Sequence, residues 1–134
     1  MFLKTMNTRV VTAKMNKYLK IQLEHILSEI TPNVFLEDAQ DDSVYPYLVY
    51  SLTQAMHNEN QIIYTLDVDV WDKSTTTVNV DDISSKLKKL DKTSYIDENV
   101  QFSLHFDRIL NTKSESEQWQ RYTVVFELRV IERR

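Results

Sequence analysis

The chain contains no glycine in 134 residues, where average usage of about 7% would supply roughly nine. Backbone positions that need positive φ therefore fall to Asn or Asp, whose short polar side chains tolerate that region best after glycine. Glycine-rich phosphate cradles, both the P-loop and the dinucleotide fingerprint, cannot be built. The nucleophile elbow of the hydrolases is excluded for the same reason. Kinase, ATPase, Rossmann and elbow-serine chemistries drop out before any other residue is weighed.

Other bounds come from charge, cysteine and length. There is no cysteine, which removes disulfides, thiol catalysis and zinc-thiolate sites and leaves the redox compartment open. Sixteen basic and twenty acidic residues give a formal net charge of -4. They are scattered rather than blocked, which argues against a general affinity for nucleic-acid phosphates. "MFLKTMNTRVV" lacks the apolar core of a signal peptide, and no run approaches the roughly 20 apolar residues that span a bilayer. A soluble single domain covering 1–134 is expected, with residues 1–8 as a flexible extension, and a chain of this size buries roughly two thirds of its unfolded surface.

Residues 9–30 place Val11, Met15, Tyr18, Leu19, Gln22, Leu23, Ile26 and Ile30 on one helical face, with Lys14, Lys17, Lys20 and Glu24 opposite. Thr31-Pro32 then ends the helix, because a residue before proline is pushed out of the α region. "NVFLEDA" reads as a short strand and "QDDS" as a solvated loop. Tyr47 to Met56 reads as a strand that tolerates Pro46 at its start. In the turn "HNEN", Asn58 or Asn60 is expected to take the left-handed conformation. The following strand, "QIIYTLDVDVW", alternates Ile62, Tyr64, Leu66, Val68 and Val70 against Ile63, Thr65, Asp67, Asp69 and Trp71. One face is core and the other wet.

A second helix is expected to begin at Asn79 as N-cap, with Asp81 and Asp82 in its first turn and Lys86, Lys88 and Lys89 in its last. Val80, Ile83, Leu87 and Leu90 form its buried stripe. Two long strands follow, "NVQFSLHFDRIL" and "WQRYTVVFELRVIERR", joined by the hydrophilic "NTKSESEQ". In the first, Val100, Phe102, Leu104 and Phe106 alternate with Gln101, Ser103, His105 and Asp107. The expected class is α+β: an antiparallel sheet of about four main strands with two amphipathic helices packed on one face.

The wet face carries the candidate chemistry. Asp67 and Asp69, completed by Glu127 or Asp107, have the oxygen-rich character of a Mg²⁺ or Mn²⁺ site for phosphodiester hydrolysis. Against this, the same face offers Arg129, His105 and Thr123, and cross-strand pairing of Asp67 or Asp69 with Arg129 is ordinary surface stabilisation. His25, His57 and His105 have no metal-ligand spacing. Trp71, beside Asp69 and just before Asp72, is either covered within the chain or exposed as an anchor for a partner. Trp119 presents the same choice.

"YPYLVYSL", then "YTLDVDVWDKS", a short amphipathic helix, and a final "RYTVVFELRVIERR" together resemble the tail terminator and tail-to-head joining proteins of long-tailed bacteriophages. The resemblance runs from about residue 9 to the end. It is carried by Tyr45, Pro46, Tyr47, Asp69, Trp71, Asp72 and the strand from Tyr122 to Val130. It implies no catalysis and no cofactor. It implies a protein that is largely monomeric when free and hexameric when assembled, in a ring that caps the tail tube and docks it to the head connector or stopper protein. DNA passes through such a ring without specific binding. The location implied is the head-tail junction of the virion, with host cytoplasm during assembly and no membrane. Six copies would carry about -24, and carboxylates facing the channel would repel phosphates. Asp41, Asp42, Asp67, Asp69, Trp71, Asp72 and Arg129 are the candidate assembly or lumen surface. The alternative is the divalent-metal-dependent nuclease built on Asp67, Asp69 and Glu127.

Overall fold

A computed structural model describes residues 17–36, 45–57, 60–112 and 119–131. Helix α1 covers 17–28 of these. The strands are β1 (Val34–Leu36), β2 (Tyr47–His57), β3 (Gln61–Lys73), β4 (Ser94–Ile96), β5 (Gln101–Thr112) and β6 (Trp119–Ile131), with α2 (Val78–Lys88) between β3 and β4. They form one six-stranded sheet in the order β1-β2-β3-β6-β5-β4. The class is α+β, as the element order implies. The sheet is mixed rather than antiparallel, because β1 joins β2 in parallel. The two long hairpins meet along β3 and β6, which pair antiparallel over their whole length from Gln61↔Ile131 to Lys73↔Trp119.

The core lies where the alternation puts it. Ile62, Tyr64, Leu66, Val68 and Val70 of β3 and Val124, Phe126, Leu128 and Val130 of β6 share one face with Phe102 and Leu104 of β5. Helix α1 roofs that face through Leu19, Leu23 and Leu27, and α2 through Val80, Ile83 and Leu87. The buried stripe of α1 includes Leu27, whereas Ile26 and Ile30 sit at its margin. At about 25 cal/mol per Å² of apolar surface removed from water, each fully covered leucine contributes about 2 kcal/mol, and this drives the layers together.

Local departures from the expected pattern have identifiable causes. The residue preceding α2 is Thr77, which donates its hydroxyl to Asp81 at 2.8 Å. Asn79 is not the cap; it lies inside the first turn and donates its amide to Asp72 at 3.0 Å. The turn that was to hold a left-handed asparagine includes 58–59, outside the described residues. Among the described residues, positive φ occurs at Lys92, 66°, after the end of α2. Its amide donates to the Leu104 carbonyl at 2.7 Å, fastening the helix exit to β5. In β5 the pairing slips between Phe106 and Arg108. This bulge inverts the alternation, so that Arg108 and Leu110 point to the face opposite the core and Ile109 to the core side.

Candidate functional site

The face opposite the core carries no helix among the described residues, and it holds most of the singled-out side chains. Residues directly paired across a sheet project to the same side. The register thus builds the surface row by row. Trp71 lies between Tyr47 and Arg121, Asp69 between Val49 and Thr123, Asp67 between Ser51 and Val125, and Thr65 between Thr53 and Glu127. Arg108 extends the Asp67 row, and His105 the Thr65 row.

Asp69 sits at the centre of this lattice with both carboxylate oxygens engaged. Thr123 donates its hydroxyl to Oδ1 at 2.6 Å, and Arg121 donates Nη2 to Oδ2 at 3.0 Å. The ion pair is partly shielded, the side chains being 33% and 21% exposed for Arg121 and Asp69. Charge-assisted hydrogen bonds in such a setting are stronger than surface pairs. The guanidinium of Arg121 also lies over the Trp71 ring, 4.9 Å from its centroid, a favourable cation–π position.

Arg121 thereby ties Asp69 to an aromatic cluster at one end of the face. Tyr47 stacks on Trp71 at 6.5 Å, Trp119 meets Trp71 edge-on at 5.9 Å, and Tyr45 packs on Trp119 at 5.0 Å and on Tyr47 at 5.3 Å. Phe35 closes the group against Tyr47 at 5.9 Å. Trp71 and Trp119 are half-buried. Among the described residues, the cover over Trp71 comes from these rings and from Arg121. Aromatic pairs of this geometry contribute about 0.5–1.5 kcal/mol each beyond their buried area.

Asp67 differs from its neighbour. Its carboxyl is held above the usual aspartate range, mainly by burial and then by the negative charge of Asp69, with Arg108 opposing. Glu127 accepts from Arg129 within its own strand at 2.8 Å.

Two of the expected roles change on this geometry. Arg129 does not pair with Asp67 or Asp69: the register sets it opposite Ile63, near Glu127, and Arg121 takes the role foreseen for it. Asp72 is not on the wet face. It follows Val70 in the core-facing phase, is 3% exposed, and is satisfied by Asn79. Asp41 and Asp42 lie outside the described residues. The carboxylates suggested for a metal site do not converge: both Asp69 oxygens already accept a hydrogen bond, Asp107 is paired with Arg108, and Glu127 is bound to Arg129 and lies opposite Thr65 rather than Asp67. Among the described residues no three His, Asp or Glu side chains gather closely enough to hold a metal ion.

Sequence reading missed Arg121, Arg108 and Tyr45 as members of this surface. Arg121 could have been found from its spacing, two residues before Thr123 on one strand face. Arg108 could not, because the bulge hides its orientation.

No protein-family model matches the chain, and no curated protein is similar to it at a significant level. Solved structures do share its fold. A chain of the virion of a native gene transfer agent particle superposes with a TM-score of 0.62 at 13% identity, covering 89% of this chain and 92% of that one. A second solved chain gives a TM-score of 0.63 at 11% identity over 89% and 94%. The likeness therefore embraces nearly the whole of both partners, and it is a likeness of fold.

Proposed function

We propose that the chain is a structural protein of a phage-type virion that caps the tail tube and joins the tail to the head connector, as a ring around the DNA channel, without catalytic activity. The observation that carries this reading is the near end-to-end correspondence with a virion chain, 89% of one and 92% of the other. A fold shared over nearly the whole of both chains suits a part whose work is to fit between other parts. The sequence resemblance to tail terminator and tail-to-head joining proteins supplies the more specific role. Its partners on this reading are copies of itself, the tail tube protein and the connector or stopper protein.

The paired charges refine the electrostatic side of the proposal. Asp69 is matched by Arg121 and Glu127 by Arg129, while Arg108, itself paired with Asp107, only partly offsets Asp67. A sheet face of this kind presents little net field to a passing polyanion, neither gripping nor strongly repelling it. Any net repulsion in the channel then falls to the acidic segment containing Asp41 and Asp42.

The test is electron microscopy of particles produced without this protein. Filled heads separated from completed tubes are the expected product. Normally joined particles would remove the proposal.

A further inference from the structure

Two strand ends lack a described neighbour, and they lie at diagonally opposite corners of the sheet. On the outer edge of β2, β1 pairs only with Leu48, Val49 and Tyr50. Beyond that, Thr53, Gln54, Ala55 and Met56 are exposed. On the outer edge of β5, β4 pairs with Gln101, Phe102 and Ser103, and the segment leading to it bonds Leu104 and Phe106. Beyond that, Asp107 to Asn111 are exposed. The register sets the start of β2 level with the end of β5, since Leu48 pairs with Val70, Val70 with Tyr122, and Tyr122 with Asn111.

We propose that neighbouring copies in the assembled ring join by edge-strand addition, the exposed end of β2 of one copy running antiparallel to the exposed end of β5 of the next, with Met56 opposite Leu110. This inference rests on the ring reading above and names the interface within it.

Direction favours it. Successive pairs β2–β3, β3–β6 and β6–β5 are all antiparallel, so β2 and β5 run in opposite senses. Copies related by rotation about a ring axis, without inversion, therefore meet with antiparallel edges, and each edge gains a partner for backbone groups that have no strand neighbour among the described residues.

Chemistry favours it as well. Natural edges are guarded by charge, proline or a bulge. From Ser51 to Met56 there is neither charge nor proline, and the guard present is the irregularity between Gln54 and Met56. The β5 end carries Asp107 and Arg108, but these neutralise each other at 2.8 Å. Met56 lies opposite Ile63 and Leu110 opposite Thr123, which puts both on the face away from the core. They are 51% and 45% exposed, and pairing would bury one against the other.

Geometry makes closure possible. Leu110 is level with Val49, so matching it to Met56 shifts each copy along the strands from Val49 to Met56, with Ala55 as the extra residue of the irregularity. That shift is about 20 Å, against about 19 Å across the four long strands. Strands inclined by roughly 45° follow, at the upper end of the ~35–45° at which closed sheets stand.

The absence of cysteine allows a clean test. Concentrated protein carrying both Met56→Cys and Leu110→Cys, oxidised and run under denaturing conditions, should give a ladder of covalent oligomers that reducing agent collapses. Each single variant should remain a monomer. A control pair at exposed apolar positions elsewhere, Val78→Cys with Ile96→Cys, should give no ladder. No ladder from the Met56/Leu110 pair, an equal ladder from the control, or dimers from Met56→Cys alone would each overturn the proposal, the last by indicating two-fold β2–β2 pairing. The two readings fail separately. A ladder together with normally joined particles lacking the protein retains the strand interface and removes the joining role; separated heads and tails without a ladder do the reverse.

Discussion

The Tyr50 hydroxyl donates a hydrogen bond to Glu24 Oε1 at 3.0 Å, linking β2 to α1. The Tyr50 ring is fully buried. Burial, reinforced by the Glu24 carboxylate, pushes its phenol far above the usual tyrosine range. A folded-state value raised above the unfolded one gives stability that is complete below about pH 10 and is lost as pH rises beyond it. Urea denaturation should show a steeper alkaline loss in the native protein than in Tyr50→Phe. At neutral pH that variant should lose about 0.5–1.5 kcal/mol for the missing hydrogen bond.

Asp69→Ala should be among the more damaging changes on the open face. It leaves the Thr123 hydroxyl and the partly shielded Arg121 without their acceptor, at a cost of about 1.5–3 kcal/mol. Arg121 would also lose its anchor over Trp71. The chain has two tryptophans, and both belong to this cluster, so near-ultraviolet circular dichroism reads its order directly. The expected outcome is a reduced tryptophan signal with the far-ultraviolet spectrum retained.

Asp67 should behave in the opposite sense. Its carboxyl is raised, so the stability it lends is complete below the unfolded value near 3.8 and declines as pH rises through the folded value. Asp67→Asn should therefore be at least as stable as the native chain at pH 7, with the advantage shrinking toward pH 4. Denaturant midpoints at the two pH values provide the check.

Ser84 lies on the buried side of α2, and its hydroxyl has no hydrogen-bond partner among the described residues. An unsatisfied buried hydroxyl carries its desolvation cost without return, and alanine is the better helix former. Ser84→Ala should stabilise the protein by about 0.5–1.5 kcal/mol, visible as a higher thermal midpoint.

Local periodicity made much of this architecture readable. The two-residue alternation of β3 and of the first half of β5 announced both faces, and the stripe Val80, Ile83, Leu87 announced how α2 lies. Asp72 shows the limit of reading residue type before phase: two positions after Val70 it had to face inward, and Asn79, the presumed cap, is its partner. The match of Asp69 with Arg121 rather than Arg129 depends on the β3–β6 register, which is set by contacts far apart in sequence. Strand β4, three residues long, is too short to leave a periodic trace. The β5 bulge is invisible for another reason, since Asp107 looks like one more polar residue in an alternating run.

Lys92 gives the missing glycine a local price. Its left-handed backbone lets the chain leave α2 and reach β5, and a side chain with a Cβ occupies that conformation at a penalty of about 1 kcal/mol. Every tight reversal in this molecule must be negotiated by a residue with a side chain. The corner at Lys92 is consequently stiffer in the unfolded state and more strained in the folded one than glycine would make it, and the sheet and its two helices must hold it shut.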